Sequence, residues 1–150
     1  MKYFLILLTV IFYGAGSHAQ QAEDSVKTAI NTFFTAMKTA DAGLLKSCFS
    51  DSLVFQTITR NKAGALVVQN ESPEEFIEIV RSSAAGDLDE RIRFETVKVD
   101  GPLAMAWTPY QFYYKGQFSH CGVNSFQLVR FNGQWKVQYI IDTRRKQGCE

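Results

Sequence analysis

The second half of the chain leaves the fold little freedom. Four segments rich in β-branched and aromatic residues follow one another at 91–100, 104–115, 117–131 and 134–143. Only Gly116 and the pair Asn132-Gly133 separate the last three, and these residue types favour the primed turns that match the twist of a β-hairpin. Strands joined so closely pair antiparallel, which predicts a meander. Upstream the period changes. Val26, Ala29, Ile30, Phe33, Phe34 and Met37 recur at spacings of three and four, predicting an amphipathic helix over 25–39 with Glu23 and Asp24 near its positive end. Asp41 suits the N-cap of a second, short helix to about Phe49, and the short link makes the two helices packing neighbours. Residues 52–59 (SLVFQTIT) and 64–69 (GALVVQ) read as a hairpin about a polar turn. Ser72-Pro73-Glu74-Glu75 opens a third helix, with a capping box and proline at the first helical position, burying Phe76, Ile77, Ile79 and Val80 and ending near Gly86. Helices thus precede the main run of four antiparallel strands, which predicts an α+β fold with one sheet folded over a helical layer.

The N-terminus is set apart from that fold. Lys2 and the ten-residue uncharged run FLILLTVIFY at 4–13 have the form of a secretory signal, since the run is too short to span a bilayer of about 30 Å. Ser17 and Ala19 place small residues at −3 and −1, so cleavage is expected after Ala19, leaving one domain, 20–150, in the periplasm or outside the cell. No membrane attachment is expected once the signal is removed. With 16 basic and 15 acidic side chains the sequence lacks the basic excess of a nucleic-acid binder. Export permits disulfides, and the chain has 3 cysteines. Cys48 shares a helical face with Leu44 and Leu45 and reads as a core residue. Cys121 and Cys149 are the candidate pair; two unpaired thiols, or a reactive thiol at Cys121, are the other readings.

The order of elements resembles the nuclear transport factor 2-like superfamily. Two segments carry the likeness, FFTAMKTADAGLLKSCFSDSLVF and HCGVNSFQLVRFNGQWKVQYIIDTRRKQGC, and together they frame essentially the whole chain after the signal. The ending WKVQYIIDTRRK is similar to the secreted bacterial group labelled "putative lumazine-binding", itself similar to the SnoaL-like proteins. The resemblance implies a cone formed by a curved sheet around helices, open at one end. It supplies no catalytic residues to carry over.

Hairpin arithmetic from the two turns maps one sheet face: Phe118, His120, Asn124, Phe126 and Leu128, beside Trp135, Val137, Tyr139 and Ile141, and beside Trp107, Gln111 and Tyr113. Near the Asn132-Gly133 turn these residues read as plain core. Farther along, Trp107, Gln111, Tyr113, Asn124 and Tyr139 are the expected ligand-binding set, mostly aromatic with a few polar groups. A single bulge would exchange the faces. His120, the only histidine outside the signal, is the candidate acid–base group. The map puts Asp142 on the opposite face, where it, Arg144 and Arg145 are expected to form an ion pair or a charged rim. Related folds keep a carboxylate or histidine inside the cone.

There is no HExxH or CxxC, no nucleophile elbow and no phosphate loop, so neither a metal nor another cofactor is expected. The first functional expectation is a non-catalytic protein binding a small, partly aromatic molecule. One alternative is a cofactor-free isomerase or dehydratase using His120 with Tyr110, Tyr113 or Gln111. Another is a structural homodimer that buries an outer row of Tyr110, Phe112 and Tyr114.

Overall fold

Amphipathic spacing and tight turns dictate most of the elements that form. The computed structural model describes residues 15–149. Helix α1 (Ala15–Lys38) presents Val26, Ile30, Phe33, Phe34 and Met37 to the interior. It begins ten residues before the predicted start, because the Gln- and Ala-rich stretch upstream is also a good helix former, even though residues 19–24 bury little. Glu23 and Asp24 therefore lie inside the helix. The hydrophobic run 4–13 lies outside the described residues, and α1 passes through the expected junction after Ala19. In α2 (Ala42–Ser47), Asp41 is the N-cap, its side chain accepting from the Leu44 N–H at 2.8 Å.

Strands β1 (Phe49–Arg60) and β2 (Leu66–Glu71) form the expected hairpin. Helix α3 (Pro73–Ser82) starts with Ser72 accepting from the Glu75 N–H and with proline in its first turn. The predicted strand 91–100 is two strands, β3 (Leu88–Ile92) and β4 (Thr96–Asp100). Both pair with β5 (Leu103–Tyr114), at its two ends. Strands β6 (Gln117–Phe131) and β7 (Gln134–Arg145) complete the meander. At the two hairpin tips Lys115 and Gly116, then Asn132 and Gly133, all have positive φ, as the primed turns require.

The strand order is β2-β1-β7-β6-β5-β3, with β4 also on β5. The expectation of an all-antiparallel sheet is corrected here, because β1 pairs parallel with β7, Phe55 facing Ile140 and Thr57 facing Asp142. The α+β class and the curved, unclosed sheet around the helices hold. α1 lies in the hollow of the sheet, where Phe33 meets Phe126 edge to face at 5.9 Å, and Ile30, Leu45, Leu128 and Val137 are fully or almost fully buried. Trp135 closes the narrow end by donating its indole N–H to Ser25 Oγ at 2.9 Å.

Two β-bulges in the meander decide which of its residues face the hollow; β1 carries a further irregularity against β7, between Phe49 and Val54. Beyond the first tip, Tyr113 faces Phe118 but Phe112 faces His120, so Ser119 is an extra residue on β6. Beyond the second, Leu128 faces Val137 but Gln127 faces Tyr139, so Gln138 is extra on β7. Because side chains alternate with period two, each bulge turns over every residue after it relative to the neighbouring strand.

Candidate functional site

The consequence is a cavity of about 300 Å³ between the wide end of the sheet and the helices. Its walls come from α1 (Phe33, Phe34, Met37), β1 (Phe55), α3 (Phe76, Ile79) and the inward row of β5 (Tyr110, Phe112, Tyr114). Polar groups converge at one end: Glu90 from β3, His120 and Asn124 from β6, Asp142 and Arg144 from β7, with Glu71 contributed by β2.

The sheet register assembles this polar end. Thr57, Asp142, Asn124 and Thr108 stand in one row across β1, β7, β6 and β5, and all four are buried. Asn124 Nδ2 donates to Glu90 Oε1 at 2.8 Å. Arg144 Nε donates to Asp142 Oδ2 at 2.9 Å, and the Tyr110 hydroxyl lies 3.0 Å from both Asp142 Oδ2 and the Thr143 carbonyl oxygen. Gly122 permits that approach. A Cβ there would fall 1.7 Å from the Thr143 oxygen and 2.8 Å from Tyr110 Cε1, so a side chain at this position would push Tyr110 off Asp142. Three atoms of the row have no hydrogen-bond partner among the described residues: Asp142 Oδ1, Thr57 Oγ1 and Thr108 Oγ1.

Burial shifts these groups in ways that matter to chemistry. It pushes the Glu90 carboxyl up from 4.5 to about 7; the Asn124 hydrogen bond opposes the rise and the nearby Asp142 charge adds to it. Glu90 is thus a carboxylic acid poised to exchange a proton near neutrality. Burial also lowers His120, helped by the Arg144 charge, so this imidazole favours its neutral form. Its Nδ1 lies 3.0 Å from Ser119 Oγ, and its ring packs on Phe112 at 5.1 Å and edge-on to Tyr110 at 5.7 Å. Tyr110 is raised, first by burial and then by Asp142 and Glu90, and serves as a donor rather than as a phenolate. Burial alone would lower Arg144, but the Asp142 carboxylate outweighs it and holds the guanidinium charged. Among the described residues no group of three or more His, Cys, Asp or Glu side chains could hold a metal ion.

The structure brings His120, Asn124, Asp142 and Arg144 together in the cavity. Asp142 is therefore on the same face as His120, which corrects the opposite-face expectation, and the Gln138 bulge is the reason. Arg144 forms the ion pair with Asp142, whereas Arg145 points to the outer face, its Nε donating to the Gly148 carbonyl. The remaining proposed ligand contacts are on the outer face too, which corrects the face expected for them; Gln111 and Arg145 line a second pocket there, of about 360 Å³. Trp107 is 41% exposed there. Tyr113 donates to Gln111 Oε1 and has the Arg91 guanidinium stacked over its ring. Tyr139 donates to Gln56 Oε1 at 2.7 Å. Conversely, Tyr110, Phe112 and Tyr114, expected as an outer dimer face, line the cavity; the Ser119 bulge exchanged the two rows of β5. Cys121 and Cys149 form a disulfide, fastening the C-terminal tail to β6, and Cys48 is a buried free thiol raised by burial. Glu90, the most strongly displaced carboxyl, escaped the sequence reading because it fell just before the predicted strand 91–100. The only signal was the alternation within Leu88–Ile92.

Comparison with known proteins places this geometry in a family. No curated protein sequence matches the chain. Among solved structures, an NTF2-like protein of unknown function from Shewanella baltica OS155 superposes with a TM-score of 0.65 at 12% identity, covering 85% of this chain and 97% of its own. A second NTF2-like protein of unknown function, from Silicibacter pomeroyi DSS-3, gives 0.65 at 17% identity, covering 84% and 98%. A protein described as a "putative dehydratase" of the NTF2-like family, from Streptomyces avermitilis, gives 0.61 at 16% identity, covering 84% and 97%. At such identities the likeness establishes the fold. The family model described as "Putative lumazine-binding" matches residues 21–138, most of the length of the sequence. The chain therefore belongs to that family, and it shares the fold of the NTF2-like structures.

Proposed function

We propose that this protein is exported and binds a small, partly aromatic molecule in the cone cavity, releasing it unchanged. The observation that carries the reading is the cavity itself, about 300 Å³ with aromatic walls and a convergent polar end, within the size range of small-molecule sites. Export is supported by the basic and apolar N-terminal sequence and by the Cys121–Cys149 disulfide, which suits an oxidising compartment. Cleavage after Ala19 would keep the α1 side chains that are fully buried among those described, of which Val26 comes first.

Native mass spectrometry of protein purified from an exporting host, before and after mild denaturation, tests the reading. A small molecule retained by the native protein and lost on denaturation is the expected result. An empty protein that also shows no thermal shift with any member of a heterocycle library counts against it.

One observation favours a second reading, a cofactor-free isomerase or dehydratase. Glu90, displaced to about 7 inside the cavity, matches the requirement for a general acid–base group at neutral pH better than His120 does. The Streptomyces avermitilis neighbour described as a "putative dehydratase" adds weight to it. Incubating any ligand found in the first experiment and re-examining its mass and ultraviolet spectrum separates the two. Recovery unchanged supports binding; conversion that is lost in Glu90→Gln supports catalysis.

A further inference from the structure

We infer that the cone cavity selects a cationic ligand, a protonated amine carried on an aromatic body, with its ammonium group seated against Glu90 and Asp142. The inference rests on the binding reading above and adds the ligand's charge to it.

Acceptors and donors at the polar end do not balance. Asp142 is 5% exposed and lines the cavity; Arg144 and Tyr110 both approach its Oδ2, while Oδ1 has no partner among the described residues. Glu90 accepts from Asn124, and among the described residues no ion pair involves it. The hydrogen bonds nearby converge on one Asp142 oxygen. The Tyr110 proton is shared between Asp142 and the Thr143 carbonyl, and the Arg144 guanidinium is held by Asp142 and also feels Glu71. Three carboxyl groups, Glu71, Glu90 and Asp142, thus face one committed guanidinium and an imidazole that favours its neutral form.

An anionic head could approach only Arg144, whose charge Asp142 already balances, and it would meet the carboxyl groups of Glu71 and Glu90. A neutral head could accept or donate a hydrogen bond but would leave the excess negative charge uncompensated. An ammonium group supplies both the missing N–H donors and the missing charge, and the faces of Phe34, Phe55 and Phe112 provide the aromatic walls that favour a cation.

The same geometry couples binding to pH. Groups facing Glu90 are Asp142 and Arg144 on β7, Tyr110 on β5, His120 and Asn124 on β6, and Glu71 on β2. The helices bring apolar side chains to the cavity, and the nearest α1 charge, Lys38, is paired with Asp89 at 3.0 Å. With Glu90 half-protonated near pH 7, an arriving cation drives off its proton. Binding therefore releases protons near neutrality and tightens as pH rises through that value, levelling off above it.

Isothermal titration calorimetry with three indoles of matched shape tests this: tryptamine (cationic), tryptophol (neutral) and indole-3-acetate (anionic). At pH 8 tryptamine is expected to bind about tenfold more tightly than tryptophol, with indole-3-acetate weakest, and the tryptamine preference should fall about tenfold at pH 5.5. Titrations near pH 7 in buffers of different ionisation enthalpy should register the released protons. Glu90→Gln, which retains an oxygen for Asn124, should abolish both the release and most of the preference. Tryptophol or indole-3-acetate binding as tightly as tryptamine would overturn the cationic assignment and leave the binding reading standing. Failure of all three to bind would overturn the cationic assignment, and the native mass spectrum then decides the binding reading separately. The probe series on the unmodified protein decides the matter even if the variant folds poorly.

Discussion

Replacing Glu90 by glutamine should make the protein more stable at alkaline pH and barely change it in acid. The folded-state carboxyl is raised to about 7 from 4.5, so the folded chain holds this proton more tightly than the unfolded chain does. Its neutral form is the favoured one. The group fits the fold best below its unfolded value, costs progressively more as pH rises from there through about 7, and adds a constant cost above that. At about 1.36 kcal/mol per unit, the full cost is roughly 3 kcal/mol at pH 8 and about 1 kcal/mol at pH 5. Glutamine has no charge to bury and retains an acceptor for Asn124 Nδ2. The stability of Glu90→Gln relative to the unmodified protein should therefore improve by about 2 kcal/mol between those pH values. Urea unfolding of both proteins at pH 5 and pH 8 measures it, because titrations common to the two chains largely cancel in the difference. A difference that stays constant with pH, or a variant less stable at pH 8, would refute the argument that burial of this carboxyl dominates.

Other expectations follow from the same geometry. Phe112→Ala should weaken binding of an aromatic ligand by about tenfold through loss of buried apolar contact, whereas Trp107→Ala, on the outer face, should leave it within about twofold; fluorescence or calorimetric titration distinguishes them. Gly122→Ala should cost about 3 kcal/mol or more in denaturant unfolding, since the new methyl group collides with backbone that has no room to yield. Cys149→Ser, which opens a link between residues 28 apart in sequence, should cost roughly 3–4 kcal/mol by the chain-entropy argument, read as a lowered denaturation midpoint; no change would mean the tail is already held in the unfolded chain.

Local signals in the sequence were legible wherever one short stretch decided the outcome. The caps at Asp41 and Ser72, the turns at Gly116 and Asn132-Gly133, and the helical face through Phe33 and Phe34 each depend on neighbours within a few residues. Core positions near the second turn were also readable: Leu128, Trp135 and Val137 lie between the turn and the bulge, and Phe126 keeps the face of Leu128 because the extra residue is on β7. Facing errors began beyond the bulges. Neither Ser119 nor Gln138 differs in type from an ordinary strand residue, and the extra residue is set by how the sheet must bend around α1. Trp107, Gln111, Tyr113 and Tyr139 were misplaced for that reason, and Asp142 was put on the wrong side. The parallel pairing of β1 with β7 has no local signature at all, since it joins segments from opposite ends of the chain.

That pairing also sets a timetable. β7 lies between β1 and β6, so the middle of the sheet stays open until residues 134–145, near the C-terminal end, have been delivered. During synthesis or passage through a membrane in extended form, the N-terminal hairpin and helices emerge first, with the apolar faces of Phe33, Phe34 and Phe55 lacking their cover. Pairings between segments so distant in sequence form slowly, and exposed edges recruit other chains while they wait. The last strand of the sheet to arrive thus completes it, and the Cys121–Cys149 bond fastens the segment that follows β7 in place. A chain truncated before residue 134 would lack the central strand and should be a substrate for proteolysis, not a smaller version of the same cone.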